Sequence, residues 1–324
     1  MLGAWRSLGR LYRGIIVPEL RQYVLLGDGS VQTDGLVYDP RLAPGEIAGR
    51  RSGNPDDRWV FTEENPDREL TAAAGLAAAA RVLRDYDSPL AAEALAAARE
   101  VFERAIEQTD STAPRVFALA ELLQATGDDE FRRRLLALRA GISADIGDTA
   151  WALAKAMPHI DDERFRGTVD RAVSLHQAAQ REAARETPYG VPYRPHIWGA
   201  GWGIQDFGVR QYLVDKAWPA HADPALWTNA LNFILGVHPG ENTMSFASGV
   251  GANSALVAYG VNRADWSYIP GGVISGTALI RPDLPELKVW PFFWQQTEYV
   301  MGGGATNYMF LVLAADRFYG EGAR

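Results

Sequence analysis

At 324 residues, with 47% apolar and 22% charged side chains, the chain can build one large core or two ordinary ones, and its composition is that of a soluble globular protein. A net charge of −8 argues against a nucleic-acid partner, because phosphate binding needs clustered Lys and Arg. The absence of cysteine excludes disulfides, thiol chemistry and thiolate-ligated metals.

In the first helix-prone stretch, Arg6, Arg10 and Arg13 interrupt every apolar run, so no export-signal core forms. No segment approaches the roughly 18 apolar residues of a membrane span, so no membrane partner is expected. As written the chain reads as cytoplasmic, and as secreted or periplasmic where the true start lies upstream. Residues 24–68 then form a polar stretch rich in Gly and Asp. Its Asp56, Asp57, Glu63 and Glu64 read either as cleft-facing carboxylates or as a solvated acidic surface. Gly35–Tyr38 is too short to build a sheet.

Helices follow in quick succession. Glu69–Asp85 is dominated by strong helix formers and stops at Tyr86-Asp87-Ser88-Pro89, where Ser88 caps the next helix and Pro89 sits in its first turn. That helix runs to about Gln108, with Leu90, Ala94, Leu95, Ala98 and Phe102 at helical spacing. Asp110-Ser111-Thr112 caps a third helix, Pro114–Thr126. Gly127 ends it, Asp128 caps a fourth, and Gly141 closes the fourth. Further helices are predicted at Asp148–Ala156, Asp161–Arg185, Gly203–Lys216, Pro224–Leu235 and Gly304–Phe318. Helices joined by short turns, without a fixed-period repeat, predict an all-α toroid of helical hairpins.

Residues 236–303 form a second long irregular region, and Gly271–Ser275 within it is again too short for a sheet. It holds Phe246, Tyr259, Trp266, Tyr268, Trp290, Phe292, Phe293 and Trp294, an aromatic density that suits an ordered surface around a cleft. No linker rich in Pro, Gly or Ser divides the chain, so residues 1–324 read as one domain, with an N-terminal helix and long loop over 1–68. His159, His176, His196, His221 and His238 show no metal-ligand spacing, and no phosphate-binding glycine loop follows a strand. No metal or cofactor is expected.

Four segments, Arg68–Ala98, Ala120–Asp129, Thr187–Gly199 and Leu231–Gly251, carry runs that together resemble glycoside hydrolase family 9, the inverting endoglucanases and related β-glycosidases. Arg68–Ala98 is similar to the family helix pair carrying A-Q-A-A-R-V-Y-K-P-Y-D, and Ala120–Asp129 to its A-E-L-Y-R-A-T-G-D. Thr187–Gly199, T-P-Y-G-V-P-Y-R-P-H-I-W-G, resembles P-F-G-V-P-x-x-P-Y-Y-W-G. Leu231–Gly251 resembles Y-I-L-G-x-N-P … S-Y-V-x-G-x-G, with His238 in place of the usual Asn. The likeness extends from about Glu69 to Asp316 and implies an (α/α)6 barrel, incomplete at its N-terminal side, with a cleft for oligo- or polysaccharide.

The family's catalytic positions depart from that pattern. Inverting hydrolysis needs a protonated acid and a second carboxylate about 6.5–9.5 Å away. In the register fixed by Tyr299, Ala305 and Tyr308, Gly303 stands where the resemblance implies the acid Glu, Gly302 replaces Asn and Asn307 replaces Asp. The Asp-Ala-Gly-Asp motif of the base is absent from residues 1–68. Asp145-Ile146-Gly147-Asp148 is close in letters but follows the fourth helix, and reads equally as a helix start. Glu298, five residues before Gly303, is the substitute acid to test.

For the substrate, the resemblance points to Trp198 and Tyr308 as cleft residues. Trp202 offers a further ring for sugar stacking, and Arg263 stands in for the Arg of the family P-H-H-R motif with a two-residue shift. Each also reads as core packing or surface, and Trp290 and Trp294 read as loop packing. Two functions stay open: a divergent family 9-like hydrolase of β-linked sugars using other carboxylates, or a non-catalytic carbohydrate-binding barrel.

Overall fold

The computed structural model describes residues 1–8, 11, 14–16, 34, 36–56, 59–61, 64–192, 200–239, 243–254, 258–259, 266–274, 279–281, 284–285, 299 and 303–322. Local capping explains where most helices begin. Helix α1 is Leu2–Leu8; α2, Pro66–Leu83, is capped by Asn65, whose Oδ1 accepts from Arg68 N at 3.1 Å. Helix α3, Ser88–Ala105, takes its cap from Asp87 rather than Ser88: Asp87 Oδ1 accepts from Leu90 N, and Ser88 and Pro89 lie inside the first turn.

Helix α4, Thr112–Thr126, ends on Gly127 at φ 70°, donating from its N–H to Leu123 O. A Cβ there would meet nothing within 4 Å, so Gly127→Ala carries only the left-handed backbone cost. Thermal denaturation is expected to show a loss of about 1 kcal/mol.

The predicted fourth helix is two. Helix α5 is Asp129–Ala137 and α6 is Arg139–Ala144, separated at Leu138 (φ −80°, ψ 4°). Gly141 lies inside α6 and does not close it. Its role is close packing, since a Cβ would sit 2.9 Å from Thr112 Oγ1 at the start of α4. Helices α7 (Ile146–Ala156), α8 (Glu163–Ala184), α9 (Ala200–Ala217), α10 (Pro224–Ile234) and α11 (Gly303–Gly322) complete the helical set among the described residues.

The packing makes two rows. Helices α2, α4, α7, α9 and α11 pack in that order, each against the next, while α3, α5 with α6, α8 and α10 lie outside them. This is the toroid of αα-hairpins. Among the described residues no contact of comparable size joins α11 back to α2, and α11 presents Met309, Val312, Leu313 and Tyr319 to solvent. The largest core runs from α2 to α8, where alanine on α2 and α3 allows close approach, filled by Phe102, Leu119, Leu135, Leu153 and Phe165. A second core joins Ile204, Phe233 and Ile234 to Phe246 and Ile274, and a third joins Trp227 and Leu231 to Leu311.

Strands are marginal, as the short apolar runs imply. Val37–Tyr38, Arg51–Ser52 and Ile47–Ala48 form a three-stranded ladder of two-residue strands. Its loop spends its carboxylates on itself. Buried Asp39 binds Arg41 and Arg51, hydrogen bonding that holds its carboxyl far below the usual range. Asp56 Oδ2 accepts from Asp34 N at 2.9 Å. Asp57 and Glu63 lie outside the described residues.

Candidate functional site

Near the start of α11, Tyr308 packs on the core that joins Ile204 of α9 to Phe246 and Ile274, which belong to the described loop segments 243–254 and 266–274. That loop is tied down from both ends. Phe246 N donates to Ile234 O and Ala252 N to Leu235 O at the end of α10, both at 2.8 Å. Ala247 bridges Val273, and Ile274 bridges Tyr299. Tyr299 Oη accepts from Ile269 N at 2.9 Å and shares a 2.8 Å hydrogen bond with Ser248 Oγ. Gly251, at φ 85°, is required here, because a Cβ would lie 2.4 Å from Leu235 O.

Tyr308, in the second turn of α11, is half-buried between the two smaller cores, and desolvation pushes its phenol pKa up. Gly303 is the first residue of α11. Trp202 is half-buried in the first turn of α9. The remaining sequence candidates, Trp198, Arg263 and Glu298, lie outside the described residues, as do Trp290 and Trp294.

A pocket of about 340 Å³ opens between α7, α8 and α9, running along α9 from Gly203 to Val214. Its polar side is Asp148, Asp206, Arg210 and His176; its apolar side includes Trp151 and Phe207. Asp148 is in the first turn of α7, so the Asp145–Asp148 stretch is a helix start. Arg210 organises the pocket. Its Nε lies 2.8 Å from Asp206 Oδ2, one turn back on α9, and its Nη1 lies 3.7 Å from Asp148 Oδ1. Its guanidinium also covers the Trp151 ring, 5.1 Å from the centroid. Phe117 of α4 supports Trp151 at 4.8 Å between centroids. His176 lies over Gly147, where a Cβ would be 2.9 Å from its Cε1, and burial lowers its pKa, leaving a neutral imidazole at pH 7.

Among the described residues one carboxylate has a pKa raised into the working range of a general acid: Asp215, in the last turn of α9, pushed up to about 6 by burial. It lines none of the described pockets, and its contacts are to Gln177, Gln211 and Asp223 N. No group of three His, Asp or Glu among the described residues is placed to hold a metal.

No family profile matches the chain, and no curated protein sequence matches it. Solved structures do. A thermostable endoglucanase from Alicyclobacillus acidocaldarius superposes with a TM-score of 0.62 at 16% identity, over 81% of this chain and 57% of that one. The endoglucanase of the termite Nasutitermes takasagoensis gives 0.57 at 18%, over 81% and 70%. The cellulase Cel9M of C. cellulolyticium, solved with cellobiose, gives 0.59 at 16%, over 86% and 70%. The fold is that of the family 9 glycoside hydrolases. The chain spans little more than half the length of the first of these family 9 structures. No described helix is long and apolar enough to cross a membrane.

Trp151, Asp206, Arg210 and His176 are not legible as a group in the sequence. Asp206 and Arg210 carried a signal, since their i,i+4 spacing predicts an ion pair on α9. Trp151 carried none, because its spacing on α7 is also that of a core residue.

Proposed function

We propose that the chain is a divergent family 9-type glycoside hydrolase barrel directed at β-linked oligo- or polysaccharide. The observation that carries this reading is the family 9 fold, combined with a pocket between α7, α8 and α9 where aromatic rings, carboxylates and an arginine stand together. Rings for the apolar faces of pyranoses and charged groups for their hydroxyls are what such a substrate needs. The cellobiose bound to Cel9M is consistent with that class.

Hydrolysis demands more than recognition. Asp148 and Asp206 share one guanidinium and lie open to solvent, so neither has the desolvated setting that the reaction's acid requires. With Gly303 at the head of α11, this favours a second reading in which the barrel binds sugar without cleaving it. Cello-oligosaccharides, with chitosan oligosaccharides alongside, incubated at high protein concentration and resolved by chromatography, separate the two. Shortened products abolished by Glu298→Gln establish a relocated acid. Intact sugars that still bind in calorimetry establish the binding reading, and neither cleavage nor binding overturns both.

A further inference from the structure

We propose that the outward face of α11 is a homodimer interface, on which a second copy of the chain lays its own α11 antiparallel to the first. The ring leaves this face open. A toroid of six hairpins has six inner helices, and the described residues supply five, ending at α11. Leu311 and Ala314 of α11 are buried with Trp227 and Leu231 of α10 and lie against Val209 and Tyr212 of α9. The opposite side, where a further inner helix would pack, meets solvent.

That side is too apolar for an ordinary solvated helix face. Met309, Val312, Leu313 and Tyr319 are 59%, 39%, 63% and 61% exposed. At about 200 Å² for a large side chain, they leave roughly 450 Å² of apolar surface in water. A contiguous patch of about 300–600 Å² is the largest that a monomer normally shows, and it usually marks a contact. With exposed Thr306, Asp316 and Arg317 as a polar rim, the face approaches the about 800 Å² per partner of a stable interface.

The pattern on the face selects a copy of itself. At 3.6 residues per turn, Thr306, Leu313 and Gly320 follow one line down the helix, opposite the buried Leu311. Asp316 and Arg317 straddle that line. A two-fold axis passing between them sets each Asp316 against the partner's Arg317, and each Leu313 against the partner's Gly320. A Cβ on Gly320 would meet nothing within 4 Å, so the space above it is free to receive the leucine. Charge and shape therefore match under one symmetry operation, which is the requirement of an isologous contact. The apolar side chains supply the affinity, and the reciprocal ion pairs fix the antiparallel register.

Sedimentation velocity of the full chain between about 1 and 100 µM tests the proposal, and a concentration-dependent dimer is expected. Leu313→Glu puts a carboxylate on the central line and should weaken association about 100-fold or more. Leu313 is at the surface, so the variant should melt like the parent at concentrations where both are monomeric. The chain has no cysteine, so introduced thiols report the register alone. Leu313→Cys combined with Gly320→Cys should oxidise to a covalent dimer. Leu313→Cys by itself should not, because its two copies stand about 10 Å apart along the helix pair, beyond disulfide reach. A dimer that Leu313→Glu leaves intact, or equal cross-linking of the single and double cysteine variants, overturns the assignment. A parent that stays monomeric at every concentration overturns it too, and leaves the face to a different partner.

Discussion

Glu121→Ala is expected to lower the stability of the fold by about 1–3 kcal/mol, the cost of leaving two partly covered cations without their counter-ion. Glu121 lies on α4 with its side chain fully covered. Arg81 Nη2 of α2 reaches its Oε2 at 3.0 Å, and Lys155 Nζ of α7 pairs with its Oε1. One carboxylate thus joins three consecutive helices of the inner row. Lys155 also lies over the rings of Phe117 and Trp151, at 5.5 and 5.8 Å from their centroids. Truncating Glu121 removes the acceptor but leaves both cations half-covered. Replacing the set with apolar residues, Glu121→Leu with Lys155→Met and Arg81→Met, removes the unpaired charges and should recover most of the loss. Urea unfolding of the two variants against the parent measures both numbers. A single variant that loses less than about 1 kcal/mol would show that water already reaches the trio.

How much of this was legible in the sequence depends on the range of the forces involved. Helix ends set by local hydrogen bonds were readable: Gly127 ends α4, and Asp128 caps α5 through Glu130 N. The break between α5 and α6 was not readable, because Gly141 is dictated by Thr112, a neighbour only in the folded chain. The toroid was legible as hairpins without a repeat, and the likeness of Thr187–Gly199 and Leu231–Gly251 to family 9 motifs pointed to the fold that the solved structures share. The site was legible only at its edges. Tyr308 and Trp202 stand at the N-terminal ends of α11 and α9, whereas the pocket draws on α7, α8 and α9, three separate stretches of sequence. Nothing in the one-dimensional pattern brings Asp148 to Arg210, or buries Asp215 between α8 and α10.

Asp215 gives the second large effect. Asp215→Asn is expected to stabilise the protein at pH 8 by about 1–3 kcal/mol and to change little at pH 4. Asp215 Oδ1 accepts from Gln211 Nε2 at 2.7 Å, from Asp223 N at 3.2 Å and from Gln177 Nε2 at 3.3 Å, joining α8, α9 and the start of α10. Its Oδ2 is buried without a partner, and so is Gln177 Oε1. Burial raises the carboxyl from 3.8 to about 6, and the charge of Asp223 acts in the same direction. A folded pKa above the unfolded one means that the native state holds a proton the unfolded chain has released. The contribution is therefore fully favourable below about pH 4 and is lost as pH rises through about 6, after which it stays constant. Asn carries no charge to desolvate, keeps an oxygen for the three donors, and offers an amide hydrogen where the protonated acid would offer its own. Unfolding free energies measured at half-unit steps from pH 4 to pH 8 should converge for parent and variant at the acid end and separate above pH 6. Parallel curves across that range would mean that Asp215 is ionised in the native state throughout, with water reaching Oδ2.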